Sequence, residues 1–237
     1  IAGAIYNNPN TGEGEYYSLE YGDIYIAVIN FSNTAAPVQE AADWLVEDAA
    51  KSDATWKIVC MHQPPYYTNN GGNEPVYQAI PDAAEAAGID AVFSGHDHTW
   101  AVTNPLIDDQ IDEDNGILYY IVGAAGSKRY AAVTQDKFDY DTIFRRVGEP
   151  YTATYIKVSS DKDEMTIDVY DTEKGLLDTV TLKSECMKNG HQNVYDPAAG
   201  TTTCSVCGEV STDYTGEVLD KDGNEYYLLL GKVRTGW

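Results

Sequence analysis

The chain has 237 residues, 43% hydrophobic and 11% aromatic, enough apolar material for one full domain with small appendages and too much for global disorder. Acidic residues number 38 against 15 basic ones, a net charge of -23, which repels nucleic acid and anionic lipid and excludes a polyanion-binding protein. The longest apolar runs, residues 24–29 and 117–122, are far too short to span a bilayer, so no membrane span is expected.

The first residues, Ile1-Ala2-Gly3-Ala4-Ile5-Tyr6, have no Met start, no basic segment and no long apolar segment, and read as a processed product or a piece of a longer protein. The acidic composition with 19 Tyr is of a kind common in secreted bacterial surface proteins, which sets an expectation of an extracellular or cell-surface location.

Residues 15–20 and 23–30 read as strands joined by the turn Tyr21-Gly22-Asp23. Residues 37–52 read as a helix, with Pro37 in its first turn and Val38, Ala41, Ala42, Leu45 and Ala49 on one face. A buried strand over 56–61 ends at His62. A helix over 74–87 tolerates Pro81 and stops at Gly88, and a strand over 89–94 ends at Gly95. The acidic stretch 108–115 reads as a solvated loop, since it lacks the Gly-containing spacing of an EF-hand. Residues 117–123 read as a strand running into the small-residue turn 123–126, and 152–158, 165–170 and 176–182 as an antiparallel meander. The fold class expected is α/β, sheet and helix in layers. Residues 1–183 form the main domain, 184–211 a small Cys/His module, and 212–237 a β-hairpin tail with the start of a further unit.

Two of the four histidines lie in Gly95-His96-Asp97-His98 and a third ends the strand Val59-Cys60-Met61 as His62. Imidazoles at the ends of adjacent buried strands converge on the crevice where open sheets hold ligands. Two imidazoles in His-x-His can reach two ions ~3.5–4 Å apart, the separation in two-metal hydrolases. As a group, His62, His96 and His98 point to metal ligation. Cys60, in an apolar strand, reads as a buried inert thiol.

Val59-Cys60-Met61-His62-Gln63-Pro64-Pro65-Tyr66-Tyr67 and Gly95-His96-Asp97-His98-Thr99-Trp100 resemble the last two motifs of the calcineurin-like metallophosphoesterases, the purple acid phosphatase branch above all. The resemblance covers residues 6–183. It implies part of an αββα sandwich and hydrolysis of phosphate esters at a dinuclear centre of Fe, Zn or Mn, with His62 and His96 on one ion and His98 on the other. It also implies earlier motifs, among them Gly-Asn-His and a bridging Asp, which nothing before Tyr16 matches. The catalytic residues are therefore expected upstream of residue 1, and the isolated chain is expected to be inactive. The alternative is a surface binding module on a metallophosphatase scaffold without catalysis.

Cys186-x4-His191-x12-Cys204-x2-Cys207 has the ligand set of a three-Cys, one-His structural zinc site. A disulfide among these cysteines, with His191 incidental, is the competing reading. The segment is similar to small Cys/His modules in surface proteins of Gram-positive gut bacteria. Tyr226-Tyr227 and Gly231-Lys232-Val233-Arg234-Thr235-Gly236-Trp237 resemble aromatic-Gly repeats that bind cell-wall glycan; a plain hairpin with an aromatic face is the equal alternative.

Overall fold

The computed structural model describes residues 5–7, 16–30, 34–68, 74–126, 128, 130–132, 138–148 and 154–234. In chain order the elements are β1 (Ile5–Asn7), β2 (Tyr16–Tyr21), β3 (Ile24–Ile29), α1 (Ala35–Ala49), β4 (Trp56–Met61), α2 (Glu74–Ala87), β5 (Ala91–Ser94) and β6 (Trp100–Thr103). They continue with β7 (Leu106–Ile107), β8 (Gln110–Ile111), β9 (Leu118–Val122), α3 (Tyr140–Ile143), β10 (Phe144–Val147), β11 (Thr154–Ser160), β12 (Glu164–Asp171) and β13 (Gly175–Lys183). The last are α4 (Glu185–Asn189), β14 (Asn193–Asp196), β15 (Thr201–Cys204), β16 (Val210–Ser211), β17 (Gly216–Asp220), β18 (Glu225–Leu229) and β19 (Lys232–Val233).

The chain divides into two compact units, residues 1–160 with 166–180, and residues 161–165 with 181–237. The first is built on an eight-stranded sheet of order β1-β2-β3-β4-β5-β9-β6-β10. Strands β3, β4, β5 and β9 run parallel, with Ile26 opposite Ile58, Cys60 opposite Phe93 and Phe93 opposite Tyr120. The β2–β3 hairpin turns at Gly22, whose φ of 64° no β-branched residue adopts without strain.

Helices α1 and α2 pack against each other over one face of this sheet. Their contact stripe is mostly small, with Ala41, Ala42, Ala83 and Ala84 letting the backbones approach around Leu45, Val76 and Ile80. Tyr25, Ala27, Val59, Val92 and Ile121 face this layer. The alternate positions Trp56, Ala91, Leu118 and Tyr120 are also buried, so the sheet is covered on both faces, as parallel strands require.

A three-stranded sheet, β11-β12-β13, follows in the chain. Ser160 Oγ donates to Asp23 at 3.1 Å, Thr154 Oγ1 donates to the Val122 carbonyl, and Arg145 and Arg146 pair with Asp178. Gly123, at φ 92°, turns the chain where a Cβ would run into the Thr154 side chain.

The second unit holds a six-stranded sheet of order β16-β15-β14-β17-β18-β19. Because β14 and β17 pair in parallel, with Val194 opposite Leu219, the boundary expected at residue 211 falls inside one sheet. Among the described residues a small apolar cluster of this unit gathers Tyr195, Val218 and Leu228, edged by Tyr214 and Tyr226. A core that small needs another source of stability.

Several expected bounds shift. The first helix begins at Ala35 and ends at Ala49 rather than running from 37 to 52, and the strand expected from residue 89 starts at Ala91. The stretch 108–115, expected as a loop throughout, contributes β8 to a hairpin whose tip is Asp108-Asp109. Strands β6 and β10 were not expected at all. The last three residues of the tail, 235–237, and the start of the meander, 152–153, lie outside the described residues.

Asp48 is the polar tie within the helix layer. On α1 and only 3% exposed, it accepts hydrogen bonds from Ser18 Oγ at 2.5 Å and from the Tyr25 hydroxyl at 3.0 Å. Replacing Asp48 by Ala strands both hydroxyls in the interior, so a urea titration of D48A should show a loss of about 2 kcal/mol. An unchanged midpoint would contradict this role.

Candidate functional site

His62 follows β4 and His96 follows β5 by one residue, so both stand at the C-terminal edge of the parallel sheet. The register that places Cys60 opposite Phe93 places His62 opposite Gly95, and the Gly95 N–H donates to the His62 carbonyl at 3.0 Å. His62 Nε2 and His96 Nδ1 come within 3.3 Å, their rings perpendicular. Two imidazole nitrogens sharing one tetrahedral ion at ~2.05 Å stand about 3.3 Å apart, so this pair fits a common metal. Burial, with smaller contributions from His96 and His98, pushes the His62 pKa below its usual value, which favours the neutral ring that ligates metal.

His96 and His98 both adopt left-handed backbone, φ 65° and 52°. Outside glycine such conformations concentrate where function demands them, and here the two reversals turn the chain twice within three residues. Asp97 between them is fully buried and accepts from the Thr68 N–H at 2.6 Å and the Thr68 hydroxyl at 3.2 Å. It pins the histidine loop to the segment that follows Pro64 and Pro65. His98 Nδ1 donates to the Lys128 carbonyl at 2.9 Å, which leaves Nε2 with its lone pair outward, the usual arrangement of a metal-binding imidazole. Its ring stacks on Tyr130 at 5.1 Å and 27°.

The three histidines do not form a ready-made cage. Among the described residues, the one group of three or more His, Cys, Asp or Glu with all ligand atoms within 4.8 Å is Cys186, His191, Cys204 and Cys207. Asp97, Thr68, Lys128 and Tyr130 escaped the sequence reading. Asp97 carried a visible signal, a carboxylate between two histidines, whereas the Lys128 contribution is a backbone carbonyl that no side chain announces.

The Cys/His group belongs to the second unit. Cys186 Sγ and Cys204 Sγ are 3.6 Å apart, and Cys207 Sγ is 3.4 Å from His191 Nδ1. A tetrahedral zinc site sets sulfurs about 3.8 Å apart and sulfur and nitrogen about 3.5 Å apart, whereas a disulfide closes to ~2.05 Å. All four cysteines of the chain are free thiols, and this donor set fits one soft or borderline ion. Burial opposes ionisation of Cys204, yet the backbone N–H groups of Cys207 and Val206, with His191, bring its thiol down to about 6. Burial and the neighbouring Cys207 and Cys204 push Cys186 up to about 12. Cys60 is half-buried and its thiol is also pushed up by burial, in keeping with an inert group.

Residues 3–100 match the family described as calcineurin-like phosphoesterase. Purple acid phosphatase 21 of Arabidopsis thaliana is 27% identical over 124 residues, 50% of this chain and 28% of that protein. Purple acid phosphatase 15 of the same plant is 25% identical over 135 residues, 54% of this chain and 25% of that protein. The chain thus spans about a quarter of the length of these relatives. In fold it is similar to purple acid phosphatase PPD1 from yellow lupin (Lupinus luteus) seeds, with a TM-score of 0.60 and 17% identity over 71% of this chain and 32% of that one. It is also similar to GAP50, the anchor in the inner membrane complex of Plasmodium, with a TM-score of 0.54 and 15% identity over 77% of this chain and 53% of that one. Residues 3–100 of this chain are thus similar to the calcineurin-like phosphoesterase family, and about half of its length is similar to purple acid phosphatases.

Proposed function

We propose that the chain carries the His-rich side of a dinuclear phosphatase that hydrolyses phosphate esters. The observation behind this reading is the His62–His96 pair at 3.3 Å, held at the ends of two parallel strands beside an oriented His98. His62 and His96 would hold one ion and His98, through Nε2, a second. Bound ions of the Fe, Zn or Mn type would supply Lewis-acid polarisation of a phosphoryl oxygen and activation of water. Asp97, buried and bonded to Thr68, fixes the loop that presents both His96 and His98. A net charge of -23 opposes an anionic substrate, so local cations are needed for a phosphate ester to dock.

Two cations ~3.5–4 Å apart repel each other unless a carboxylate joins them. The sequence contains no Gly-Asn-His, and among the described residues no Asp or Glu gathers with the three histidines within 4.8 Å. The isolated chain is therefore inactive in this reading. Assayed with p-nitrophenyl phosphate and supplied iron, zinc and manganese, it should turn over no faster than its own H96A variant. Turnover clearly above that variant would show that other carboxylates complete the centre, and a complete phosphatase carrying these residues yet indifferent to H96A would favour the non-catalytic surface module.

The Cys/His group is read as a separate, structural zinc site. Four protein ligands leave no open position for catalysis, and a cluster as small as Tyr195, Val218 and Leu228 among the described residues leaves the ion much of the folding free energy to supply. Chelation with phenanthroline should abolish the melting transition of this unit, and C204S should reproduce the effect; identical melts with and without chelator would contradict it. An extracellular or cell-surface location is proposed from the acidic, Tyr-rich composition. Contact of the tail with cell-wall glycan is supported by a cavity of 430 Å³ lined by Tyr226, Tyr227, Glu217 and Glu225.

A further inference from the structure

The unit made of residues 161–165 and 181–237 gathers, among the described residues, an apolar cluster of only Tyr195, Val218 and Leu228. Folds with so little core depend on a staple, which is either a metal ion or a disulfide. The Cys/His group offers the donors for the first, and its sulfurs are also placed for the second.

Cys186 lies on α4 and Cys204 ends β15. Their sulfurs stand 3.6 Å apart, and the two residues are only 5% and 1% exposed. They are 18 positions apart in the chain, so a bond between them ties a helix to a strand and closes a loop long enough to constrain the unfolded chain. Cys204 and Cys207 instead flank one turn, in which the Gly208 N–H donates to the Cys204 carbonyl at 2.9 Å. A bridge across that turn constrains far less.

Cys207 differs from the other two in access. It is half-buried while Cys186 and Cys204 are buried, so an oxidant arriving from solvent meets Cys207 first. The ligand atoms of the group all lie within 4.8 Å of one another, which leaves Cys207 a small side-chain movement from both buried sulfurs.

We propose, resting on the zinc reading of the same four residues, that Cys186 and Cys204 form a disulfide site that replaces the ion when the chain meets a small-molecule disulfide, with Cys207 as the entry point. The Cys207 thiolate attacks one sulfur of the small disulfide, forming a mixed disulfide and releasing one small thiolate. Cys204 attacks the Cys207 sulfur and releases the second small thiolate. Cys186 then attacks the Cys204 sulfur, and Cys207 leaves as a thiolate. In sum two protein thiolates give up two electrons, and the small disulfide takes them up as two thiolates. The ion is left with Cys207 and His191, whose Sγ and Nδ1 are 3.4 Å apart, and two ligands do not retain zinc. The unit is stapled by zinc when reduced and by a covalent bond when oxidised, so one fold serves in a reducing and in an oxidising compartment.

Exposure of the reduced, zinc-loaded chain of 237 residues to oxidised glutathione tests this, with zinc release, thiol titration and peptide mass mapping as readouts. The first glutathione adduct should map to Cys207. About one zinc per chain should leave as two thiols disappear, with Cys186 linked to Cys204 and with Cys60 and Cys207 still free. The oxidised chain should keep in phenanthroline a melting transition of this unit that the reduced chain loses. Oxidised C207S should reach the same linkage, and oxidised C186S should lose the chelator-resistant transition. A first adduct on Cys186 or Cys204, a final Cys204–Cys207 linkage, zinc that stays bound after both thiols are consumed, or an oxidised chain that phenanthroline still unfolds would overturn the proposal. A reduced chain that binds no zinc would instead overturn the zinc reading beneath it.

Discussion

The parallel pairing of β4 with β5 is the constraint on which the histidine site rests. Because residue 60 lies opposite residue 93, the chain leaves both strands at the same level, and His62 and Gly95 emerge side by side with a backbone hydrogen bond between them. His96 then has one residue in which to turn back toward His62, which a left-handed backbone achieves. A slip of one position would reverse which face each side chain meets and separate the ring nitrogens. The register is in turn held by burial on both faces. Ala91, Val92, Ile58 and Val59 have no polar alternative to the positions they occupy.

The two candidate metal-binding groups differ in how much of an ion's demand they meet. Cys186, His191, Cys204 and Cys207 come from 22 consecutive positions on α4, β15 and the turns around them, so a single short segment closes a tetrahedron. The histidines come from two strand ends and offer at most two nitrogens to one ion and one to another. A donor count of four against two, at comparable spacing, decides which group holds metal by itself. Hydrogen bonds from His98 to the Lys128 carbonyl and from the Thr68 N–H to Asp97 orient the histidine loop without adding ligands to it.

Legibility in the sequence followed locality. β4 and α2 have the bounds that their apolar runs and the Gly88 stop indicate, and the Cys/His spacing announces itself because its ligands are close in the chain. β6 and β10 were invisible for a physical reason. Trp100-Ala101-Val102-Thr103 is too short to show a period, and Arg145 and Arg146 look solvent-seeking until Asp178, 33 residues from Arg145, accepts them. The link between the Cys/His segment and the tail was missed likewise, because parallel pairing of β14 with β17 leaves no turn signature. Asp48 looked like an ordinary helical carboxylate, and only the fold brings Ser18 and Tyr25 to it.

The claim that these two groups differ in completeness is tested most directly by elemental analysis of the purified chain expressed with iron, zinc and manganese supplied. The account predicts about one zinc per chain, abolished by C204S and untouched by H96A. About three metal ions per chain, two of them lost in H96A or H98A, would contradict it and show that the histidines recruit the carboxylates needed for a tight dinuclear centre.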